Sequence, residues 1–110
     1  MRRVLAITAL SVLLAQGLFA AAYKGQKEFI KNCAECHVKK QEFISSKTSY
    51  QWKDLMVNDG EALVKLHLSK ESAKESWEYF EGSRFKKKAK DLRDFFLEYA
   101  SDSGNVPACN

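Results

Sequence analysis

Cys33-Ala34-Glu35-Cys36-His37 decides the reading of this chain. Two thiols separated by two residues, with an imidazole directly after the second, form the C-x-x-C-H attachment signature of c-type haem. The spacing puts both sulfurs on one helical turn, about as far apart as the two vinyl groups of a porphyrin. Each thiol can add across a vinyl to give a thioether. The imidazole of His37 then lies against the ring as proximal ligand to the iron. One covalent haem c, held by Cys33 and Cys36 and ligated by His37, is the cofactor expected.

Working outward, the N-terminus is what such a motif requires, because haem is attached on the exported side of a membrane. Met1-Arg2-Arg3 is a short positive region, Val4 to Leu14 is apolar or small, and Gln16-Gly17 breaks the run. Leu18-Phe19-Ala20-Ala21-Ala22 offers small residues for cleavage, most simply after Ala22. Residues 1–22 therefore read as a signal peptide and 23–110 as one domain, exported to the periplasm. An uncleaved leader would instead anchor the protein to the membrane.

The whole chain carries 18 Lys and Arg against 14 Asp and Glu. Losing Arg2 and Arg3 with the leader removes half of that excess, and two haem propionates would roughly cancel the rest. The basic balance gives no argument for nucleic acid. It is uneven, however. Arg84, Lys86, Lys87, Lys88, Lys90 and Arg93 cluster just after Glu71, Glu75, Glu78 and Glu81. Such a run is a solvated helix face or a patch for transient electrostatic docking of an acidic redox partner.

About 88 residues sit near the lower limit for a core built from protein alone. A buried haem would supply apolar volume, so the haem-free chain is expected to fold poorly.

The periodicity is helical throughout. Gly25, Phe29, Ile30 and Cys33 share one face, with Gln26, Lys27, Glu28, Lys31 and Asn32 opposite. Thr48 and Gln51 form a capping-box pattern ahead of Trp52, Leu55 and Met56. Asn58-Asp59-Gly60 ends that segment and starts another bearing Leu63, Leu66 and His67. Ser72 and Glu75 form a second capping-box pattern before Trp77 and Phe80, and Gly82-Ser83 closes the stretch. Ala89, Leu92, Phe95, Phe96 and Tyr99 make a stripe on a last helix expected to end near Ser103-Gly104. No segment alternates like a strand. The class is all-α.

Gly25-x-x-x-Phe29-x-x-x-Cys33-x-x-Cys36-His37 resembles the N-terminal helix and haem motif of class I monohaem cytochromes c, in a divergent, small, bacterial-type form. The resemblance implies a small cytochrome c-like fold wrapped around one haem. It also implies that Gly25 and Phe29 lie against the stripe of Leu92, Phe95, Phe96 and Tyr99. It is close over residues 23–37 and holds by pattern over 89–100. This chain departs from the family after the motif. Val38-Lys39-Lys40-Gln41 replaces the usual proline-containing loop, and no methionine stands just before the last helix.

Subtraction leaves two candidates for the distal ligand, since Met1 leaves with the leader. His67 lies 30 residues beyond His37, and Met56 lies 19 beyond. The family's distal ligand is well separated from the motif, which suits His67 better, with Met56 as the alternative. Imidazole favours ferric iron, while a thioether favours ferrous iron and raises the potential. Trp52, Trp77, Tyr50 and Arg84 are candidate donors to the propionates. Cys109 is an odd thiol, free or able to join two chains in a disulfide dimer.

A one-electron carrier between redox proteins, not an enzyme, is the function that follows. A haem enzyme or gas sensor with an open distal site is the alternative. A redox-active Cys33–Cys36 dithiol would need a thioredoxin-like βαβ context and would leave His37 without a role.

Overall fold

The computed structural model describes residues 21–106. The leader up to Ala20, together with Pro107 and Cys109, lies outside the described residues. Helix α1 occupies 21–32, α2 is Lys40–Ile44, α3 is Ser49–Leu68, α4 is Trp77–Glu81 and α5 is Ser83–Glu98. A 3-10 turn, Glu71–Ser76, connects α3 to α4. Among the described residues there is no strand, so the architecture is all-α. None of these helices is long and apolar enough to cross a membrane.

The contact between α1 and α5 organises the core. At Gly25 an added Cβ would lie 2.6 Å from the Phe95 Cβ, and closer still to the Asp91 carbonyl oxygen. Only hydrogen fits between these backbones. One turn further along α1, the Phe29 ring is fully buried. Its centroid lies 5.7 Å from that of Phe95 and 6.2 Å from that of Phe96. The glycine, the aromatic and the stripe on α5 therefore meet.

Helix α3 opens with a complete capping box. The Gln51 amide donates to Thr48 Oγ1, and Gln51 Oε1 accepts from the Thr48 backbone N–H. Trp52 follows, fully buried, stacked on Phe96 at 4.2 Å and donating through Nε1 to the Ile44 carbonyl. The helix then breaks. Val57 is extended, and Asn58, Asp59 and Gly60 take φ of 53°, 56° and 75°. Asparagine and aspartate are among the few side chains that tolerate left-handed backbone. Glycine does so freely, and at Gly60 a Cβ would also meet the Phe85 ring at 2.7 Å. A straight helix of 20 residues would extend about 30 Å. The break instead turns the chain so that both halves of α3 line one cavity.

Three local expectations are corrected. No side-chain cap forms at Ser72, where the chain is in a 3-10 turn, and α4 starts at Trp77 without one. Helix α5 ends at Glu98 rather than near Ser103-Gly104. Asp102 explains the early stop, because its carboxylate turns back to accept from the Ser49 amide and hydroxyl at the start of α3. Finally, Glu28 is buried, although it belongs to the polar side of α1.

Its environment accounts for that burial. Arg84 grips both carboxylate oxygens, with Nε 3.0 Å from Oε1 and Nη2 2.9 Å from Oε2. The Tyr79 hydroxyl and Asn32 Nδ2 also donate to Oε1, each at 2.9 Å. Burial pushes the Glu28 carboxyl up, but the hydrogen bonds from Arg84 and Tyr79 and the nearby cations outweigh it, and the net shift is downward. This knot ties α1 to α4 and to the start of α5.

Candidate functional site

Behind α1 lies a cavity of about 330 Å³. Its walls are mainly apolar: Phe29 from α1, Phe43 from α2, Trp52, Leu55 and Leu63 from α3, and Phe80 from α4. Cys33, Cys36, His37 and His67 line this same cavity. Met56 does not. It points to the other side of α3, into a separate groove beside Ala89, Lys90 and Arg93.

The motif residues sit where α1 unwinds into a turn. The Ala34 amide bonds the Phe29 carbonyl, and the His37 amide bonds the Cys33 carbonyl. That turn aims Cys33 into the cavity and leaves Cys36 exposed at its edge, both as free thiols. Burial, then the negative charge of Glu28, pushes the Cys33 thiol up to about 12. A thiol so perturbed is a poor thiolate at neutral pH.

His37 stacks on Phe43, with centroids 3.9 Å apart and planes within 16°. Burial, and then the proximity of His67, lowers its pKa. The neutral ring keeps a lone pair for a metal.

His67 enters from the far half of α3. Its Nδ1 lies 2.8 Å from the Leu63 carbonyl. A carbonyl only accepts, so Nδ1 carries the proton and Nε2 holds the free lone pair. A hydrogen bond of this type orients metal-binding histidines. Two more contacts hold the residue. Trp77 Nε1 donates to its backbone carbonyl at 2.8 Å, and Phe80 packs on its ring at 4.4 Å.

The rings of His37 and His67 have centroids 6.1 Å apart. Two imidazoles that bind one metal from opposite sides, each through a bond of about 2 Å, have ring centres roughly 6 Å apart. Among the described residues no group of three or more His, Cys, Asp or Glu is arranged to hold a metal ion. The donor set is thus two histidines beside two thiols in an apolar cavity. It fits a metal whose remaining ligands come from a macrocycle.

The sequence-level donors are otherwise engaged. Trp52 bonds Ile44, Trp77 bonds His67, and Arg84 bonds Glu28. Tyr50 is exposed and does not line the cavity. Sequence reasoning missed Phe43, because α2 is too short to show a period. It also missed the two lysines that line the cavity, Lys47 and Lys70, which lie outside every periodic stretch.

Comparison with protein-family models finds no match for this chain. Comparisons with curated proteins and with solved structures find none either.

Proposed function

We propose that this chain is a monohaem c-type cytochrome, a divergent relative of the class I family, that carries one electron between redox proteins in the periplasm. One observation carries the reading: both cysteines of the C-x-x-C-H run, its histidine and a second histidine face a single apolar cavity, with the two imidazoles 6.1 Å apart.

Cys33 and Cys36 would hold haem c through thioethers, and His37 and His67 would hold its iron. When bound, the haem supplies a ferric–ferrous couple. The residues of the chain do the rest. His37 and His67 would both hold the iron through side chains of the protein, which would leave no site on it for a substrate. Leu63 holds His67 in the tautomer that presents Nε2. The Trp52, Leu63 and Phe80 side chains exclude water, while the open side of the cavity near Cys36 gives an electron access. Lys86, Lys87 and Lys90, exposed along α5, form a patch for transient docking of an acidic partner. Met56 is the weaker candidate for the distal ligand, because it lines a different groove.

The test is expression of the whole chain with a haem-attachment system. The expected product carries one covalent haem, which a Cys33→Ala/Cys36→Ala variant lacks. Its ferric spectrum should be low-spin without the weak red-end sulfur-to-iron band, and the ferrous form should not bind carbon monoxide. That band would move the ligand to Met56. A high-spin spectrum with ready carbon monoxide binding would replace the carrier with an enzyme or sensor.

A further inference from the structure

The cavity has a polar feature that the electron-carrier reading leaves unused. Lys47 and Lys70 both line it, and no aspartate or glutamate does. The ion pairs among the described residues join Lys39 to Glu42, Lys65 to Glu61, Lys74 to Glu71 and Arg84 to Glu28. Neither cavity lysine belongs to one. Lys47 instead extends over Trp52, with Nζ 5.9 Å from the ring centroid. Its stem covers apolar surface and its charge stays at the rim.

The placement of the pair is a product of the fold. Lys47 comes just before Thr48, the N-cap of α3, and Lys70 just after Ser69, the C-cap. On an unbroken helix their backbones would be about 30 Å apart or more. The left-handed segment at 58–60 brings both ends of α3 to one cavity. Lys70 is further fixed by its backbone N–H, which donates to the His67 carbonyl at 3.2 Å.

Two lysines lining a mainly apolar cavity, with no carboxylate among its lining residues, suit an occupant of one kind: an apolar body bearing carboxylates. We propose that Lys47 and Lys70 anchor the carboxylates of the molecule held in this cavity. The proposal rests on the haem reading, under which those carboxylates are the two propionates. It takes that role away from Trp52, Trp77, Tyr50 and Arg84.

Carbodiimide coupling on the folded holoprotein tests this. The reagent activates a carboxylate, the lysine amine displaces it as a urea, and an amide forms with net loss of one water. Mass analysis after proteolysis should find the haem peptide containing Cys33 and Cys36 linked to the peptide with Lys47 or Lys70. Proton NMR of the ferric holoprotein is the second readout. The two protons of each propionate α-methylene should be strongly inequivalent in the native protein. They should move toward equivalence in Lys47→Gln/Lys70→Gln and recover in Lys47→Arg/Lys70→Arg, while the haem methyl signals stay in place. Links only to other lysines, with unchanged methylene signals in the glutamine variant, overturn the proposal and leave the haem reading intact. A native chain carrying no haem mass before coupling overturns both.

Discussion

His37 and His67 face one cavity with ring centroids 6.1 Å apart and ring planes inclined at 76°, although 30 residues of chain separate them. Neither depends on the other for its position. His37 is set by the turn that ends α1 and by Phe43. His67 is set by Leu63, Trp77 and Phe80. A pair fixed from two independent sides is preorganised, so little ordering remains to be done when a metal binds.

Replacing His67 by Ala should therefore convert the ferric holoprotein from low-spin to high-spin and open the ferrous form to carbon monoxide. Met56→Leu should leave the spectrum unchanged and cost less than about 1.5 kcal/mol, because it is a volume-conserving swap in a buried position. Visible absorption of the two variants side by side decides the matter. A changed spectrum in Met56→Leu with a native one in His67→Ala would reverse the assignment.

Gly25→Ala sets two effects against each other. Alanine improves helix propensity by about 1 kcal/mol. Its methyl must displace the Asp91 carbonyl and Phe95, which are backbone and a fully buried ring. Overpacking of that kind costs about 1–3 kcal/mol, and because backbone atoms must move the upper part of that range applies, so net destabilisation is expected. Urea midpoints measure it, and a variant as stable as the native protein would mean that α1 and α5 are not in close contact.

Glu28 gives a pH dependence with a definite sign. Its carboxyl lies below its ordinary value of 4.5 in the folded chain. The stability it contributes is complete above that value and is lost as pH falls through the lower, folded value. Glu28→Gln removes the charge that Arg84 and Tyr79 satisfy, at a cost of about 1–3 kcal/mol near neutral pH. The gap between native and variant should narrow as pH falls through the lowered, folded value. Equal acid sensitivity in the two proteins would show that the knot around Glu28 contributes nothing.

On the haem reading, the bound group would cover the apolar faces of Phe43, Leu55, Leu63 and Phe80 that line the cavity. The Cys33→Ala/Cys36→Ala chain should accordingly unfold over a broad range and bind a hydrophobic dye. Its amide protection should be weakest in the second half of α3, which closes that side of the cavity. A sharp, cooperative transition in this variant would show that the protein core alone suffices.

Much of the helical frame was legible because its signals are local or strictly periodic. The stripe through Leu92, Phe95 and Phe96 announced a helix face; that Gly25 and Phe29 meet it was an expectation of the resemblance. Thr48 and Gln51 announced a cap, and Asn58-Asp59-Gly60 announced a break. His67 was reached by subtraction and by its distance from the motif, while its helix face shared with Leu63 and Leu66 said nothing of the cavity that they line. Partners distant in sequence were not legible. Nothing in a helical pattern says that Glu28, on a polar face, is buried by Arg84, 56 residues away. Helix α2 also left no trace, since five residues are too few to show a period. The failed cap at Ser72 shows the reverse error, a local pattern overridden by the tighter turn that carries the chain from His67 to Trp77.

The left-handed segment at 58–60 has a consequence for assembly. It lies on the opposite side of α3 from the cavity, in the groove with Lys53, Lys90 and Arg93. The half of α3 bearing Trp52 and the half bearing His67 are joined there by a few residues, like the two arms of a clasp. On the haem reading, a rigid macrocycle fixed at Cys33 and Cys36 on an open chain would not need to be threaded into a finished pocket. The Trp52 arm can settle on α5 first, and the His67 arm can then shut over the ring with a change in only a few backbone torsions. On that reading, attachment first and closure second is the order such a joint would favour.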